Sequence, residues 1–253
     1  MISDLALRLA SARADARLVE LIPEDTFASV EDAYRIQTEL IAHSGGDVRG
    51  WKVTALAAAD QMKYGASRPV AGPLLAPFVQ DAPANVSRSS LITPLLECEI
   101  AFVLGTDLRP RDKPYEQAEI EAAIAAVVPA FELADSRVPT SSPDLMKLAD
   151  AMGNGLFIVG PRFDNWRKLE LGQISIALTH EGTIIERGSS SRILGNPLLA
   201  VMALANAQPL AGYGLMAGQI VTTGTCTTPI GIFNGRYVAD FGPLGAIDLT
   251  VTP

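Results

Sequence analysis

Leu95 to Gly105 is apolar apart from two glutamates, a pattern that predicts a buried β-strand. Alternation puts Glu97 and Glu99 on one face and Cys98, Ile100, Phe102 and Leu104 on the other. A helix over Tyr115 to Val127 follows. A second apolar strand, Pro129 to Asp135, then carries Ala130, Glu132 and Ala134 on one face. Upstream, Ser3 to about Glu20 and Val30 to His43 read as helices, the second with Ser29 as N-cap and Gly45-Gly46 as its end. Gln37 is the polar member of that helix's apolar stripe and reads as a satisfied core residue. A short strand at Gly50 to Val53, a helix over 55–63 and a loop from Gly65 to Pro77 complete the first third. Downstream, the pattern predicts a helix at Leu145 to Met152 and a strand at Gly155 to Gly160. A hairpin turns at Glu181-Gly182, and a helix covers Pro197 to Ala207 with Asn196 as its cap. A strand from Gly218 runs into a Gly/Thr-rich loop, and Tyr237 to Phe241 and Ala246 to Val251 close the chain. The polar, Ser-rich stretch Asp81 to Thr93 separates a mainly helical N-terminal part, 1–80, from a β-rich remainder, 81–253. One continuous domain stays open as the alternative.

The two strand glutamates need an explanation. A buried charge must be paired, protonated or bound to a metal, and no basic residue lies between Thr93 and Leu108. Like charges two residues apart repel unless a cation sits between them. A hard divalent cation takes oxygen ligands and would answer this; a solvated strand face would answer it as well. Glu132 adds a third carboxylate in an apolar strand, and a metal cluster then accounts for the pattern better than wet glutamates. Lys52 stands between Trp51 and Val53. By itself such a lysine snorkels to the surface; buried among carboxylates it would bind a substrate carboxylate or transfer a proton.

Composition narrows the classes. The 253 residues are 48% hydrophobic and 19% charged, enough for a sizeable core. A net charge of -8, with no cluster of Lys or Arg, argues against nucleic acid and against an anionic membrane surface. No stretch reaches the apolar length of a membrane span and no signal peptide is visible, so a cytoplasmic, soluble protein is expected. Cys98 and Cys226 lie in apolar surroundings and read as core residues. Two histidines, His43 and His180, exclude a His-rich zinc site. There is no Gly-x-Gly-x-x-Gly or Walker-type loop to support a nucleotide cofactor.

The chain resembles the fumarylacetoacetate hydrolase superfamily, and within it the 2-keto-4-pentenoate hydratase / 4-oxalocrotonate decarboxylase branch. The resemblance rests on Ala33-Tyr34-Arg35-Ile36-Gln37, Gly50-Trp51-Lys52-Val53, Glu97-Cys98-Glu99, Pro129 to Arg137, Gly195-Asn196-Pro197 and Gly218 to Gly224, in that order. It implies an α+β fold, a mixed β-sheet roll with flanking helices. It implies Mg²⁺ or Mn²⁺ held by Glu97, Glu99 and Glu132, and a small-molecule 2-oxo acid substrate bound through its carboxylate and keto oxygens. It gives Lys52 a catalytic role in charge neutralisation or proton transfer. It places the Thr225 hydroxyl next to the bound carboxylate, where a turn-capping role is the alternative. A homo-oligomer, in some relatives complexed with the next pathway enzyme, is also implied.

The implied reaction is hydration of a 2-hydroxy-2,4-dienoate in aromatic-compound catabolism, through an enolate that a cation stabilises. Decarboxylation or C–C hydrolysis of a related 2-oxo acid, or a degenerate scaffold subunit, are the alternatives. Two departures stand out. Relatives often carry an acidic pair where this chain reads Leu74-Leu75-Ala76-Pro77. The branch's Ala-Asp-Asn-Ala-Ser reads here Ala149-Asp150-Ala151-Met152-Gly153, with Asn154 adjacent. The metal half of the pattern is intact, and the proton-handling half is altered.

Overall fold

The structure, a computed structural model, describes residues 2–207 and 214–253. Helices α1 (Ile2–Ala14) and α2 (Val30–His43) pack on each other and open the chain. Ser29 caps α2, its hydroxyl accepting from the Asp32 N–H at 3.1 Å. Strand β1 (Val48–Thr54), helix α3 (Ala58–Lys63) and strands β2 (Val70–Leu75), β3 (Val79–Asp81) and β4 (Ala84–Ser87) follow. Then come β5 (Leu95–Leu104), α4 (Gln117–Ala123), β6 (Ile124–Ala134), α5 (Asp144–Ala149) and β7 (Asn154–Val159). The hairpin β8 (Ser175–His180) and β9 (Thr183–Ser189) leads to α6 (Leu198–Ala207), and β10 (Ile220–Thr225), β11 (Ile230–Gly231), β12 (Gly235–Asp240) and β13 (Ala246–Thr252) close the chain.

Two sheets result, in the mixed, helix-flanked arrangement expected. One has eight strands in the order β2-β1-β10-β5-β6-β7-β3, with β11 also paired to β5; the other has five, β4-β13-β12-β8-β9. Strands from both sides of residue 80 hydrogen bond within the larger sheet.

Four stretches differ from the sequence expectation. Helix α1 ends at Ala14 instead of near Glu20, the chain leaving it through Ala16 at a φ of 48°. The anticipated loop at Gly65 to Pro77 contains β2, all six residues buried. Its Gly and Pro resemble breakers, but β2 is an edge strand, where Pro73 needs no ladder N–H on its outer side. The helix expected to reach Val127 stops at Ala123. A capping box between Glu116 and Glu119 starts it, and the apolar run Ile124 to Val128 joins the ladder with β5 instead. The polar stretch 81–93 carries β4, parallel to β13.

The register gives the larger sheet two distinct faces. Cys98, Ile100, Phe102 and Leu104 of β5 enter the main core, with Leu5, Leu9, Ile36, Leu40 and Ile41 of the helices. The other face carries Ala101 and Val103 of β5, Ala126, Val128 and Ala130 of β6, and Phe157 and Val159 of β7, a smaller apolar cluster. Glu97, Glu99 and Glu132 stand on this second face, at the end of the cluster.

Candidate active site

The strand ladder assembles the site. Glu97 of β5 lies directly across from Glu132 of β6. On the other side of β5, Thr222 of β10 pairs with Ala101, and Lys52 of β1 pairs with Thr222. Cross-strand partners share a face, so Lys52, Thr222, Glu99 and Glu132 converge from four strands. Gly50 permits the approach of β1 to β10: a Cβ there would sit 2.1 Å from the Ile220 carbonyl oxygen.

The three carboxylates come within 4.8 Å of one another. Glu99 and Glu132 are fully buried and Glu97 is half-buried. Lys52 is only 8% exposed, which excludes the snorkelling alternative. Its Nζ donates to Glu132 Oε1 at 2.7 Å. Asn154 Nδ2 donates to the same oxygen at 3.2 Å. Glu99 Oε2 accepts from the Thr222 hydroxyl and from the Gly224 N–H at 3.3 Å. A register shift in β10 between Thr222 and Thr225 turns that N–H toward the glutamate.

The remaining oxygens decide whether a metal fits. Glu99 Oε1 and Glu132 Oε2 are buried without a hydrogen-bond partner among the described residues. Each carboxylate thus has one oxygen fixed by protein donors and one left over. Leaving such atoms unsatisfied is costly, and three close carboxylates, two of them with a spare buried oxygen, are the donor set a hard divalent cation takes. The electrostatics agree. Burial, then Glu132 and Glu97, raise the Glu99 pKa well above the ordinary carboxylate value. Burial and Glu132 also raise Glu97, which Lys52 partly offsets. Burial disfavours the charge on Lys52, but Glu132, Glu97 and Glu99 outweigh it and hold its pKa above that of an ordinary lysine.

Asn154 is delivered by an unusual turn. Ala151, Met152 and Gly153 are successively left-handed, with φ of 53°, 56° and 67°. Two non-glycine residues in that region store strain that the surroundings must hold. The buried Arg137–Asp150 ion pair, at 2.8 Å, supplies the restraint. Arg137 donates to the carbonyls of Asp150 at 3.1 Å and of Asn154 at 2.8 Å, on either side of the turn. Gly72 of β2 makes room below it: a Cβ there would lie 2.4 Å from the Ala151 carbonyl oxygen. Gln37 braces the same region, donating to the carbonyls of Ala71 at 3.0 Å and Leu148 at 2.5 Å.

Thr225 lies across from Glu99, half-buried. Its hydroxyl donates to the Thr227 carbonyl at 2.9 Å and accepts from the Thr227 N–H at 3.3 Å, the contacts of a turn cap. Both histidines are elsewhere. His43 is exposed at the end of α2, and His180 stacks on Tyr237 in the smaller sheet. Thr222 was not singled out by sequence reasoning; its signal is strand parity with Glu99 once β10 and β5 are paired. Asn154 stood out only as the neighbour of an altered motif.

No family model matches the chain. Curated relatives do. It is 31% identical to 2-keto-4-pentenoate hydratase of Burkholderia vietnamiensis (strain G4 / LMG 22486), covering 99% of this chain and 97% of that protein. It is 29% identical to 4-oxalocrotonate decarboxylase of a Pseudomonas species, covering 99% of this chain and 98% of the relative. Among solved structures, 4-oxalocrotonate decarboxylase from Pseudomonas putida G7, complexed with magnesium and adipate, superposes with a TM-score of 0.87. That pair is 25% identical and covers 99% of this chain and 97% of the other.

Proposed function

From the premise that this chain belongs to the 2-keto-4-pentenoate hydratase / 4-oxalocrotonate decarboxylase branch of the fumarylacetoacetate hydrolase superfamily, we propose that it is a divalent-metal-dependent lyase of 2-oxo acids. Its reaction is hydration of a 2-hydroxy-2,4-dienoate to a 4-hydroxy-2-oxo acid. The observation that carries this is the Glu97–Glu99–Glu132 cluster, with a spare oxygen on each of the buried Glu99 and Glu132, beside a charged, buried Lys52. Glu97, Glu99 and Glu132 would hold Mg²⁺ or Mn²⁺, the former present in the solved decarboxylase complex. When bound, the cation supplies a Lewis acid for the keto and carboxylate oxygens of a 2-oxo acid.

The chain's own residues do the rest. Lys52 Nζ is protonated in the resting site, pins Glu132 and offers positive charge to the substrate carboxylate. Asn154 and Thr222 fix one oxygen of each buried ligand and leave the other free. The apolar continuation of the face, Ala101, Ala130 and Phe157, excludes water beyond the ligands. In the reaction the enol oxygen loses its proton and the terminal diene carbon gains one. The unsaturated 2-oxo acid then takes hydroxide at C4 and a proton at C3, so that one water is consumed and nothing is oxidised or reduced. No acid stands at Ala76, so proton delivery falls to Lys52 and to solvent. Thr225 is a substrate-binding residue in this reading, exchanging its Thr227 contacts for the substrate carboxylate.

Decarboxylation is the second reading, favoured by the high TM-score to the decarboxylase. Proton NMR separates the two. With Mn²⁺ and 2-keto-4-pentenoate supplied as its enol, a new 4-hydroxy methine supports hydration. Release of CO₂ from 4-oxalocrotonate with no turnover of the enol supports decarboxylation, and turnover of neither overturns both readings. We also infer a homo-oligomer that works in the cytoplasm in aromatic-compound catabolism and associates with a pathway enzyme. Exposed Phe233, Ile184 and Ile185 support burial of apolar surface on assembly. Sedimentation velocity giving a monomer at micromolar concentration contradicts the oligomer.

A further inference from the structure

The ladder between β10 and β5 is interrupted beside the carboxylate cluster. Thr222 faces Ala101 and Thr225 faces Glu99, so Thr223 and Gly224 together stand against Ile100. Such a break leaves backbone groups of β5 without ladder partners, and buried ones must be satisfied in another way. Threonine hydroxyls do this on both sides of Glu99. Thr223 Oγ1 donates to the Ile100 carbonyl at 2.7 Å, and Thr227 Oγ1 accepts from the Cys98 N–H at 3.3 Å. The Cys226 N–H donates to the Cys98 carbonyl at 2.8 Å. Both threonines are buried. Sealing an irregular ladder would account for these two contacts alone.

Thr227 does more. Its N–H donates to Thr225 Oγ1 at 3.3 Å, its carbonyl accepts from that hydroxyl at 2.9 Å, and its own Oγ1 lies 3.5 Å from Thr225 Oγ1. All three polar atoms of Thr227 thus engage one hydroxyl. The same Thr227 Oγ1 is anchored on Cys98, the residue between Glu97 and Glu99.

We propose that Thr227 is a positioning residue for the substrate: its hydroxyl, anchored on Cys98, turns the Thr225 hydroxyl toward the substrate carboxylate. This role rests on Thr225 binding that carboxylate, as read above. A hydroxyl has one proton to donate. In the structure Thr225 gives it to the Thr227 carbonyl. When Thr225 turns from the Thr227 backbone to a carboxylate, that proton goes to the carboxylate, and the Thr225 oxygen accepts from the Thr227 hydroxyl. The 3.5 Å separation closes at that point, as site hydrogen bonds do on binding. The result is one chain, Cys98 N–H to Thr227 O–H to Thr225 O–H to carboxylate, in which each donor polarises the next. It ties the substrate carboxylate to the strand that carries Glu97 and Glu99.

Titration calorimetry of the Mn²⁺-loaded full chain, with oxalate as the probe, tests this. Thr227→Val keeps the shape and loses the hydroxyl, and Thr227→Ser keeps the hydroxyl. Thr223→Val removes the other hydroxyl from the ladder without touching Thr225. The oxalate dissociation constant should rise about tenfold in Thr227→Val. It should stay within about twofold of wild type in Thr227→Ser and Thr223→Val, with the Mn²⁺ dissociation constant alike in all three. In a Thr225→Val background, Thr227→Val should add nothing further, because it acts through Thr225. In steady-state kinetics the loss should fall on KM rather than kcat. Wild-type oxalate affinity in Thr227→Val, an equal loss in Thr223→Val, or a full additional loss in the Thr225→Val background overturns the positioning role; a weakened Thr225→Val leaves the Thr225 reading standing. Wild-type oxalate affinity in Thr225→Val, or no oxalate binding by the wild type, overturns the Thr225 reading and the role of Thr227 with it. Should Thr227→Val fail to fold, Thr227→Cys, whose thiol is a weak donor and acceptor, takes its place, and wild-type affinity there overturns the role.

Discussion

Glu99→Gln should make the metal-free protein more stable while removing its response to metal. Glu99 is fully buried within 4.8 Å of two other carboxylates. At an effective dielectric of about 20, each like-charge pair at that separation costs about 3.5 kcal/mol. Protonation limits the cost. Burial and the two neighbouring carboxylates raise its pKa well above the ordinary 4.5, so uptake of a proton replaces part of that repulsion. Attraction to Lys52 offsets part of this. Glutamine keeps an oxygen for Thr222 and Gly224 and places an N–H toward the other carboxylates. A net gain of about 2 kcal/mol follows, which in a chain of this size raises Tm by roughly 4–8 °C. The assay is differential scanning fluorimetry in EDTA and then in saturating Mn²⁺. In EDTA the variant melts higher. In Mn²⁺ the wild type gains and the variant does not. A variant that melts below the wild type in EDTA would show instead that the carboxylate is favourable in its site without a metal.

Three further outcomes are expected. Lys52→Ala should lower turnover at least ~100-fold while the Mn²⁺ dissociation constant changes far less; calorimetry and steady-state kinetics on one preparation separate the two, and near-normal turnover would reduce Lys52 to a structural residue. The metal-free protein should lose stability as pH rises above 4.5, because folded Glu99 keeps a proton that the unfolded chain has released. The slope reaches about 1.4 kcal/mol per pH unit until Glu99 ionises in the folded state, and melting curves of Glu99→Gln should be flatter over the same range. Asp150→Asn breaks the buried pair with Arg137 that restrains the left-handed turn at 151–153. A loss of about 3–5 kcal/mol in urea denaturation is expected, and an unchanged midpoint would show that the turn holds itself.

The part of the site that was legible in the sequence is the part written as strand periodicity. Glu97, Glu99 and Glu132 interrupt apolar strands with one parity, so a shared face followed from alternation. Helix α2 was legible because Ser29, the apolar stripe and Gly45-Gly46 agree with one another. What escaped depends on which strands are neighbours. Thr222 reaches Glu99 only because β10 lies beside β5, a pairing between segments more than a hundred residues apart. Asn154 reaches Glu132 through a register shift at Leu133/Ala134 and a left-handed turn carrying Ala151 and Met152, residue types that do not signal positive φ. Strand β2 was hidden by Gly72 and Pro73, which serve close approach and edge position rather than chain reversal. The partner of Lys52, eighty residues away, likewise required the fold.

Three carboxylates on one sheet face would hold a divalent cation that receives a 2-oxo acid. Thermal unfolding with Mn²⁺, with and without oxalate, tests it most directly, since oxalate imitates the planar, chelating end of such an acid. A rise in Tm with Mn²⁺, and a further rise when oxalate is added, are expected. Each amounts to about 2.7 kcal/mol at a hundredfold excess over the dissociation constant. Both should be absent in Glu97→Gln, whose fold is retained. No shift with either ligand at saturating concentration, or equal shifts in Glu97→Gln, would contradict it.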